Sequence, residues 1–279
     1  MSVSVLADSA ASLPAEVAGA HRVTVVPMLL TLDGTTYRDG EIPLDRVLEL
    51  AKPGFSTSAP TPGQYVEAIE SLGGGNGVDG VVILTVAETM SSAFESARLA
   101  AKQVDVPVEI VDTGTAAGGE ALVTLAAAET AEAGADLAGV VAAARRAAAN
   151  VRLVATLDSL EQLARSGRVP GAAAWAGRWL HLNPVFEFVN GHPRPLRPAR
   201  SRAGALDRIL AQWRGTRAGG GRLHVAALHA LDPDPAEELL QRVRDEAGDS
   251  IATAMVAPFS AVMVAHTGHL VGLSWWWER

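Results

Sequence analysis

Val81-Val82-Ile83-Leu84-Thr85-Val86, then Ser92-Ala93-Phe94-Glu95, then Val108-Glu109-Ile110-Val111 is the stretch that decides the fold class. The first and last runs are short, apolar and rich in β-branched residues, as buried strands are. Between them Ser92 stands three residues before Glu95. That is the spacing of a capping box, and it predicts a helix running to about Gln103. A strand, a helix and a second strand in that order make a parallel pair with a helical crossover.

Outward from there the alternation recurs. Residues 3–7 and 23–27 are further apolar runs. Thr61-Pro62-Gly63-Gln64 is a second capping box, with proline at the favoured first helical position. Residues 116–150 read as alanine-rich helix with a break at Gly134-Ala135-Asp136, and Asp158 or Ser159 caps a short helix through Ala164. Further strands are expected at residues 153–156, 180–189, 223–228, 251–256 and 271–275. Helices are expected near 201–214 and 235–247, and Gly219-Gly220-Gly221 reads as a loop. The predicted architecture is α/β in two domains. Residues 1–150 form a parallel sheet with helices on both faces, and residues 151–279 form a mixed α/β domain. No internal repeat is present.

The chain has 279 residues, 48% hydrophobic and 19% charged, an ordinary globular balance that argues against disorder. It has no cysteine, which excludes disulfides, thiolate metal sites and cysteine nucleophiles. Its start shows neither a basic segment nor a long apolar one, so no signal peptide is read and a cytoplasmic location is expected. Residues 251–277 carry no Asp, Glu, Lys or Arg, but Pro258, Ser260, His266, Gly268 and His269 interrupt them. They read as buried strands and turns, not as a membrane span. The formal net charge of -8 argues against general nucleic-acid binding. Between Arg194 and Arg222, however, eight arginines face one acid, Asp207, so a local basic face is expected.

Ligands of open α/β sheets sit beyond the carboxyl ends of the strands. Small hydroxyls and acids cluster there: Asp8-Ser9, the loop Phe55-Ser56-Thr57-Ser58-Ala59-Pro60-Thr61, the loop Glu88-Thr89-Met90-Ser91-Ser92, and Asp112-Thr113. Two of these loops open helices, whose free N–H groups and partial positive charge suit an anion. Simple capping by Thr61, Ser91 and Ser92 accounts for any one loop taken alone. The set together points to an anion site without naming the anion.

The ordered motifs resemble those of the DegV family, the bacterial fatty-acid-binding subunits of fatty-acid kinase. Asp8-Ser9-Ala10-Ala11 with Leu13-Pro14 resembles the family opening. Val25-Val26-Pro27-Met28, Tyr37-Arg38-Asp39-Gly40, the loop from Thr57 to Gly63 and Met90-Ser91-Ser92-Ala93-Phe94-Glu95-Ser96-Ala97 follow in family order. So do Asp112-Thr113, Leu157-Asp158-Ser159-Leu160, Ser166-Gly167-Arg168-Val169, Asn183-Pro184 and His266-Thr267-Gly268. The resemblance spans nearly the whole chain. It implies a two-domain fold with a fatty-acid tunnel. The ligand carboxylate would be held by Thr57, Ser58, Ser91 and His266, with Ser92 and Thr267 beside them. It also implies an ATP-dependent kinase partner and no cofactor other than the bound fatty acid. Arg168, Arg200 and Arg202 are the candidates for docking that partner. Two departures stand out. Ser92 and Ala93 replace the family's Gly and Thr, and His269-Leu270 replaces Pro-Gly.

The physics fits a lipid. Each buried methylene contributes about 0.8 kcal/mol, so the chain supplies affinity and the head needs only a few donors. The rival from another class is a serine hydrolase using Ser91, His266 and Asp8 or Asp112, though no G-x-S-x-G elbow is present. The seven histidines show no metal-ligand spacing, so no metal is expected. Trp275-Trp276-Trp277 reads as part core and part hydrophobic edge, with transient membrane contact as a minor alternative.

Overall fold

A computed structural model describes residues 2–51, 54–72, 77–169, 171–178, 182–217 and 221–278. In chain order the first half contains β1 (Val3–Asp8), α1 (Ala15–Ala20), β2 (Val23–Val26), β3 (Leu29–Leu32), β4 (Thr35–Arg38), α2 (Leu44–Leu50) and β5 (Phe55–Ser58). It continues with α3 (Pro62–Ser71), β6 (Gly80–Thr85), α4 (Ala93–Ala100), β7 (Val108–Asp112), α5 (Gly118–Glu132) and α6 (Leu137–Asn150). The second half holds β8 (Arg152–Leu157), α7 (Glu161–Ser166), α8 (Ala172–Arg178), β9 (Val185–Val189), β10 (His192–Pro195) and α9 (Arg202–Gly215). Then come β11 (Arg222–His229), α10 (Asp234–Ala247), β12 (Ile251–Pro258), α11 (Ala261–Thr267) and β13 (Leu270–Glu278).

The first sheet is parallel, in the order β2-β1-β6-β7. Side chains alternate across it, as the period of two requires. Leu6, Val81 and Ile83 pack on Tyr65 and Ile69 of α3 and Ala97 and Ala100 of α4. Val5, Ala7, Val82 and Leu84 pack on α5 and α6 through Leu122, Val123, Val140 and Val141. Helices on both faces are therefore what the continuous apolar strands predicted. The break at residues 134–136 is also as expected, with the Asp136 carboxylate capping α6 at Gly139 N, 2.8 Å away.

The second sheet is mixed and six-stranded, β10-β9-β8-β13-β11-β12, with only β11 and β12 parallel. α9 and α10 cover one face through Ile209, Leu210, Leu239 and Val243. On the other face α5 packs against Ala226 and Trp276. α5 is thus wedged between the two sheets, which explains why Gly118 to Ala128 are all buried. A Cβ on Gly118 would lie 2.7 Å from Leu228 Cδ1 and 3.2 Å from Ala226 Cβ, so any larger residue would have to displace Leu228 or part helix and sheet there.

Several features depart from the sequence expectations. A third, antiparallel sheet β4-β3-β5 is present. Its hairpin turns at Asp33-Gly34, both at positive φ (46° and 75°), the pattern of a two-residue hairpin turn. Thr57 and Ser58, expected in a loop, lie on strand β5 of that sheet. Residues 251–277 include the helix α11 and are not strands and turns alone. The Ser260 side chain caps it, and Gly268, at φ 71° and ψ -146°, stops it in a conformation that side chains avoid.

The capping box at Ser92 does not form either. Ser91 Oγ takes the Ala93 N–H instead (3.2 Å), and Glu95 pairs with Arg98. The Thr61 box forms as read. The expected strand 180–189 begins at Val185, and its residues 180 and 181 lie outside the described residues, as do Gly219 and Gly220. Trp275 and Trp276 are core residues. Trp275 donates to Thr216 Oγ1 at 2.8 Å, and Trp276 stacks on His224. Among the described residues no helix is long and apolar enough to cross a membrane, and the large hydrophobics standing exposed are Leu99 and Leu231.

Candidate functional site

The strand-end acids read as site candidates serve the framework. The Asp8 carboxylate, wholly buried, accepts from Ala10 N (3.0 Å) and Val86 N (2.9 Å), tying β1 to the end of β6. Burial pushes its pKa up from 3.8 to about 7, against the pull of those two N–H groups. Glu120 on α5 is equally buried, and burial followed by the Asp8 charge raises its pKa well above the ordinary range. Asp112 Oδ1 accepts from Glu88 N (3.2 Å) and Gly114 N (2.9 Å), and Thr113 Oγ1 donates to Thr85 O (2.8 Å).

Residues to which the sequence assigned no such role position α11. Asp39 Oδ1 accepts from Ala261 N (2.8 Å) and Val262 N (3.3 Å), satisfying free N–H groups of that helix. Its other oxygen accepts from Ser9 Oγ at 2.6 Å. Ser12 Oγ accepts from Ser260 N at 2.9 Å, and Gln162 Nε2 donates to Ala265 O at 3.2 Å. These partners are more than 100 residues from α11 in the chain, so no local pattern announces them. Ser9 and Asp39, which carry part of the family resemblance, thereby act on a helix at the far end of the sequence.

α11 delivers His266 to a cavity of about 340 Å³ between the sheets. Leu153 and Ala155 of β8 pair in register with Phe188 and Phe186 of β9 and form one apolar wall. Phe259, Val262 and Met263 add another. Its lining includes all six ligand residues nominated from the sequence, Thr57, Ser58, Ser91, Ser92, His266 and Thr267, together with Arg168. Among the described residues no Asp or Glu lines the cavity.

The six are not equivalent. Thr57 Oγ1 and His266 Nε2 are 2.8 Å apart, with Phe55 edge-on to the imidazole at 5.0 Å. Burial first, then the Arg168 charge, holds the His266 pKa down to about 4, so the ring is neutral at physiological pH. Its buried Nδ1 has no partner among the described residues. Thr267 Oγ1 donates to Met263 O at 2.7 Å, so its proton is already committed within α11. Ser91 Oγ accepts from Ala93 N and keeps its own proton free to donate. Ser92 is exposed.

This geometry does not assemble a serine hydrolase. His266 Nε2 is paired with Thr57 and not with Ser91, and among the described residues no carboxylate touches its Nδ1. Among the described residues no three metal-ligating side chains come together.

The three arginines are separated in role. Arg168 lines the cavity, and among the described residues no acid pairs with it. Arg202, at the start of α9, pairs with Asp232 (3.2 Å), while Arg200 stands exposed. The expected basic face is partly neutralised, because Arg214 pairs with Glu246 and Arg222 with Glu278.

A largely apolar cavity with a few directed polar groups is the form of a small-molecule site in an α/β protein. A family model described as "Uncharacterised protein, DegV family" matches residues 2–278. The chain belongs to the DegV family. It is 35% identical over 270 residues to a DegV domain-containing protein of Streptomyces coelicolor, with 95% of each chain covered. It is 31% identical over 274 residues to one of Mycobacterium tuberculosis, covering 96% of this chain and 94% of that one. Among solved structures it superposes on a DegV-family protein from Thermus thermophilus, described for its fatty-acid binding. There the TM-score is 0.91 and the identity 30%, covering 99% of this chain and 100% of that one. DegV of Bacillus subtilis, described as a fatty acid binding protein, superposes with TM-score 0.88 at 25% identity and full coverage of both chains (100%).

Proposed function

We propose that this chain is a fatty-acid carrier. It holds a long-chain fatty acid in the cavity and presents the carboxylate, in the cytoplasm, to an ATP-dependent kinase partner. A carboxylate oxygen takes the terminal phosphoryl group of ATP, giving an acyl phosphate and ADP. The carrier supplies the substrate and performs no catalysis of its own. Residues 1–150 and 151–279 act as two domains that enclose the acyl chain, a division supported by the change of sheet between Asn150 and Arg152.

The observation that carries this reading is the Thr57–His266 pair in the lining of a cavity walled largely by apolar side chains. With its proton on Nε2, neutral His266 donates to Thr57 Oγ1 and leaves the Thr57 O–H free to donate to a carboxylate. Ser91 supplies a second donor, the exposed Ser58 and Ser92 line the same cavity, and Arg168 supplies the positive charge. The acyl chain contributes most of the affinity at about 0.8 kcal/mol per buried methylene. Arg200 and Arg202 remain the docking candidates for the kinase. The binding described for the Thermus thermophilus and Bacillus subtilis relatives supports the choice of ligand.

Native mass spectrometry of protein purified without denaturation tests the reading. A mass excess equal to a fatty acid is expected. A clean apo mass with no uptake of added fatty acids would overturn it.

A further inference from the structure

β12 (Ile251–Pro258) lies at an edge of the six-stranded sheet. It pairs with β11 on one side, and among the described residues no strand pairs with it on the other. Such an edge presents a row of free N–H and C=O groups, ready to pair with another chain. The other sheet edges are blunted in the usual ways, by shortness, charge or proline. β2, β4 and β5 have four residues each. β7 carries Glu109 and Asp112, and β10 carries Pro193, Arg194 and Pro195. β12 has eight residues and no charge, and its proline stands only at the last position. Ile251 to Val256 are all partly exposed, whichever face of the strand they point to.

The helix over this edge shows what fits it. α10 packs on β11 and β12, whereas α9 packs on β8, β9 and β13. One flank of α10 turns to α9, where Arg242 pairs with Asp207 and Glu246 with Arg214. Leu239, Leu240 and Val243 face the sheet. At about 3.6 residues per turn, Glu237 and Arg244 share the opposite flank, over the free edge and roughly 10 Å apart along the axis. Both are exposed, and among the described residues neither side chain has an ion pair.

A second copy of the chain matches these features. Two β12 strands that pair antiparallel about a twofold axis satisfy each other's free backbone groups. The strand has no charged side chain to oppose its own copy. α10 joins β11 to the parallel strand β12, so it runs opposite to β12 and its midpoint lies over the middle of that strand. The same axis therefore lays the two α10 helices antiparallel on one face of the joined sheet. Glu237 of each copy then stands opposite Arg244 of the other, and one axis makes two complementary contacts.

We propose that the free edge of β12, flanked by Glu237 and Arg244 of α10, pairs with the same edge of a second copy of this chain and joins two six-stranded sheets into one. Neither β12 nor these two residues line the fatty-acid cavity, so the proposal stands apart from the carrier reading.

Sedimentation velocity on the full chain, from low to high micromolar concentration, tests it together with hydrogen exchange read by mass spectrometry. A monomer should give way to a dimer, and the amides of β12 should exchange more slowly as the dimer forms. Glu237→Arg sets arginine against arginine twice and should weaken the dimer about tenfold, and Arg244→Glu should do the same with acids. The double variant restores opposite charges and should return the dissociation constant to near the wild-type value, which also shows that the single variants fail by charge and not by misfolding. A chain that stays monomeric throughout, a dimer whose β12 amides exchange as in the monomer, or a dimer that Glu237→Arg leaves intact would overturn the proposal.

Discussion

Two sets of polar residues stand at or near strand ends facing the middle of the molecule, and they do opposite work. Asp8, Asp112 and Thr113 turn their oxygens onto backbone groups and are used up in holding β1, β6 and β7 together. Thr57, Ser91 and His266 turn towards a cavity and retain hydrogen-bonding capacity that the protein does not consume. Residue type and position at a strand end do not separate the sets. What separates them is whether each donor and acceptor already has a partner, which is a property of the folded chain.

The largest expected break in the comparison is in stability. Asp8→Ala leaves two buried N–H groups unpaired, at about 1–3 kcal/mol each, so urea unfolding should show a loss of roughly 3 kcal/mol. Asp8→Asn, which keeps an acceptor, should recover most of it. Fatty-acid affinity of the folded fraction should change little in either variant.

The pH dependence sharpens the contrast, because the two regions titrate with opposite sign. The folded pKa of Asp8 is raised from 3.8 to about 7, so its stabilisation is full below about 3.8 and is lost as pH rises through 7. The folded pKa of His266 is lowered from 6.5 to about 4, so its contribution is present above 6.5 and is lost as pH falls towards 4. The stability advantage of wild type over Asp8→Asn should therefore shrink from pH 4 to pH 8. His266→Gln should remove a loss that wild type shows on acidification from pH 6.5. Parallel denaturant titrations across that range check both, and equal slopes in wild type and variants would contradict them.

Next in size is Thr57→Val, which keeps the shape and removes the hydroxyl. Fatty-acid affinity should fall roughly tenfold, the worth of one hydrogen bond to a carboxylate, while the unfolding midpoint barely moves. The smallest effect is expected at Thr267. Its proton is committed to Met263 O, so Thr267→Val should leave affinity within about twofold although the residue lines the same cavity. A large loss there would show that lining the cavity, and not spare hydrogen-bonding capacity, marks the site.

Much of the fold was legible. The apolar runs at residues 81–86 and 108–111 and the Thr61 box are periodic or local signals, and they survive into the structure unchanged. The β3–β4 hairpin was legible too, in Asp33-Gly34 between Leu29–Leu32 and Thr35–Arg38, but it was not read. α11 was not legible. It has only seven residues, three of them valine or threonine, and its first N–H groups are satisfied by Asp39, far away in the chain. A helix so short depends on tertiary partners for its existence. The site residues were nominated from the resemblance. Their unequal roles, and the placement of Arg168 in the cavity rather than with Arg200 and Arg202, came only with the packing.

The central claim is that Thr57 and His266 hold the carboxylate of a fatty acid. Carbon NMR of palmitate labelled at its carboxyl carbon, bound to wild type and to Thr57→Val, tests it most directly. One slowly exchanging carboxyl resonance is expected in the wild type, shifted from that of free palmitate, and it should move back towards the free position in Thr57→Val. A bound resonance that Thr57→Val leaves in place, or no bound resonance at all, would contradict it.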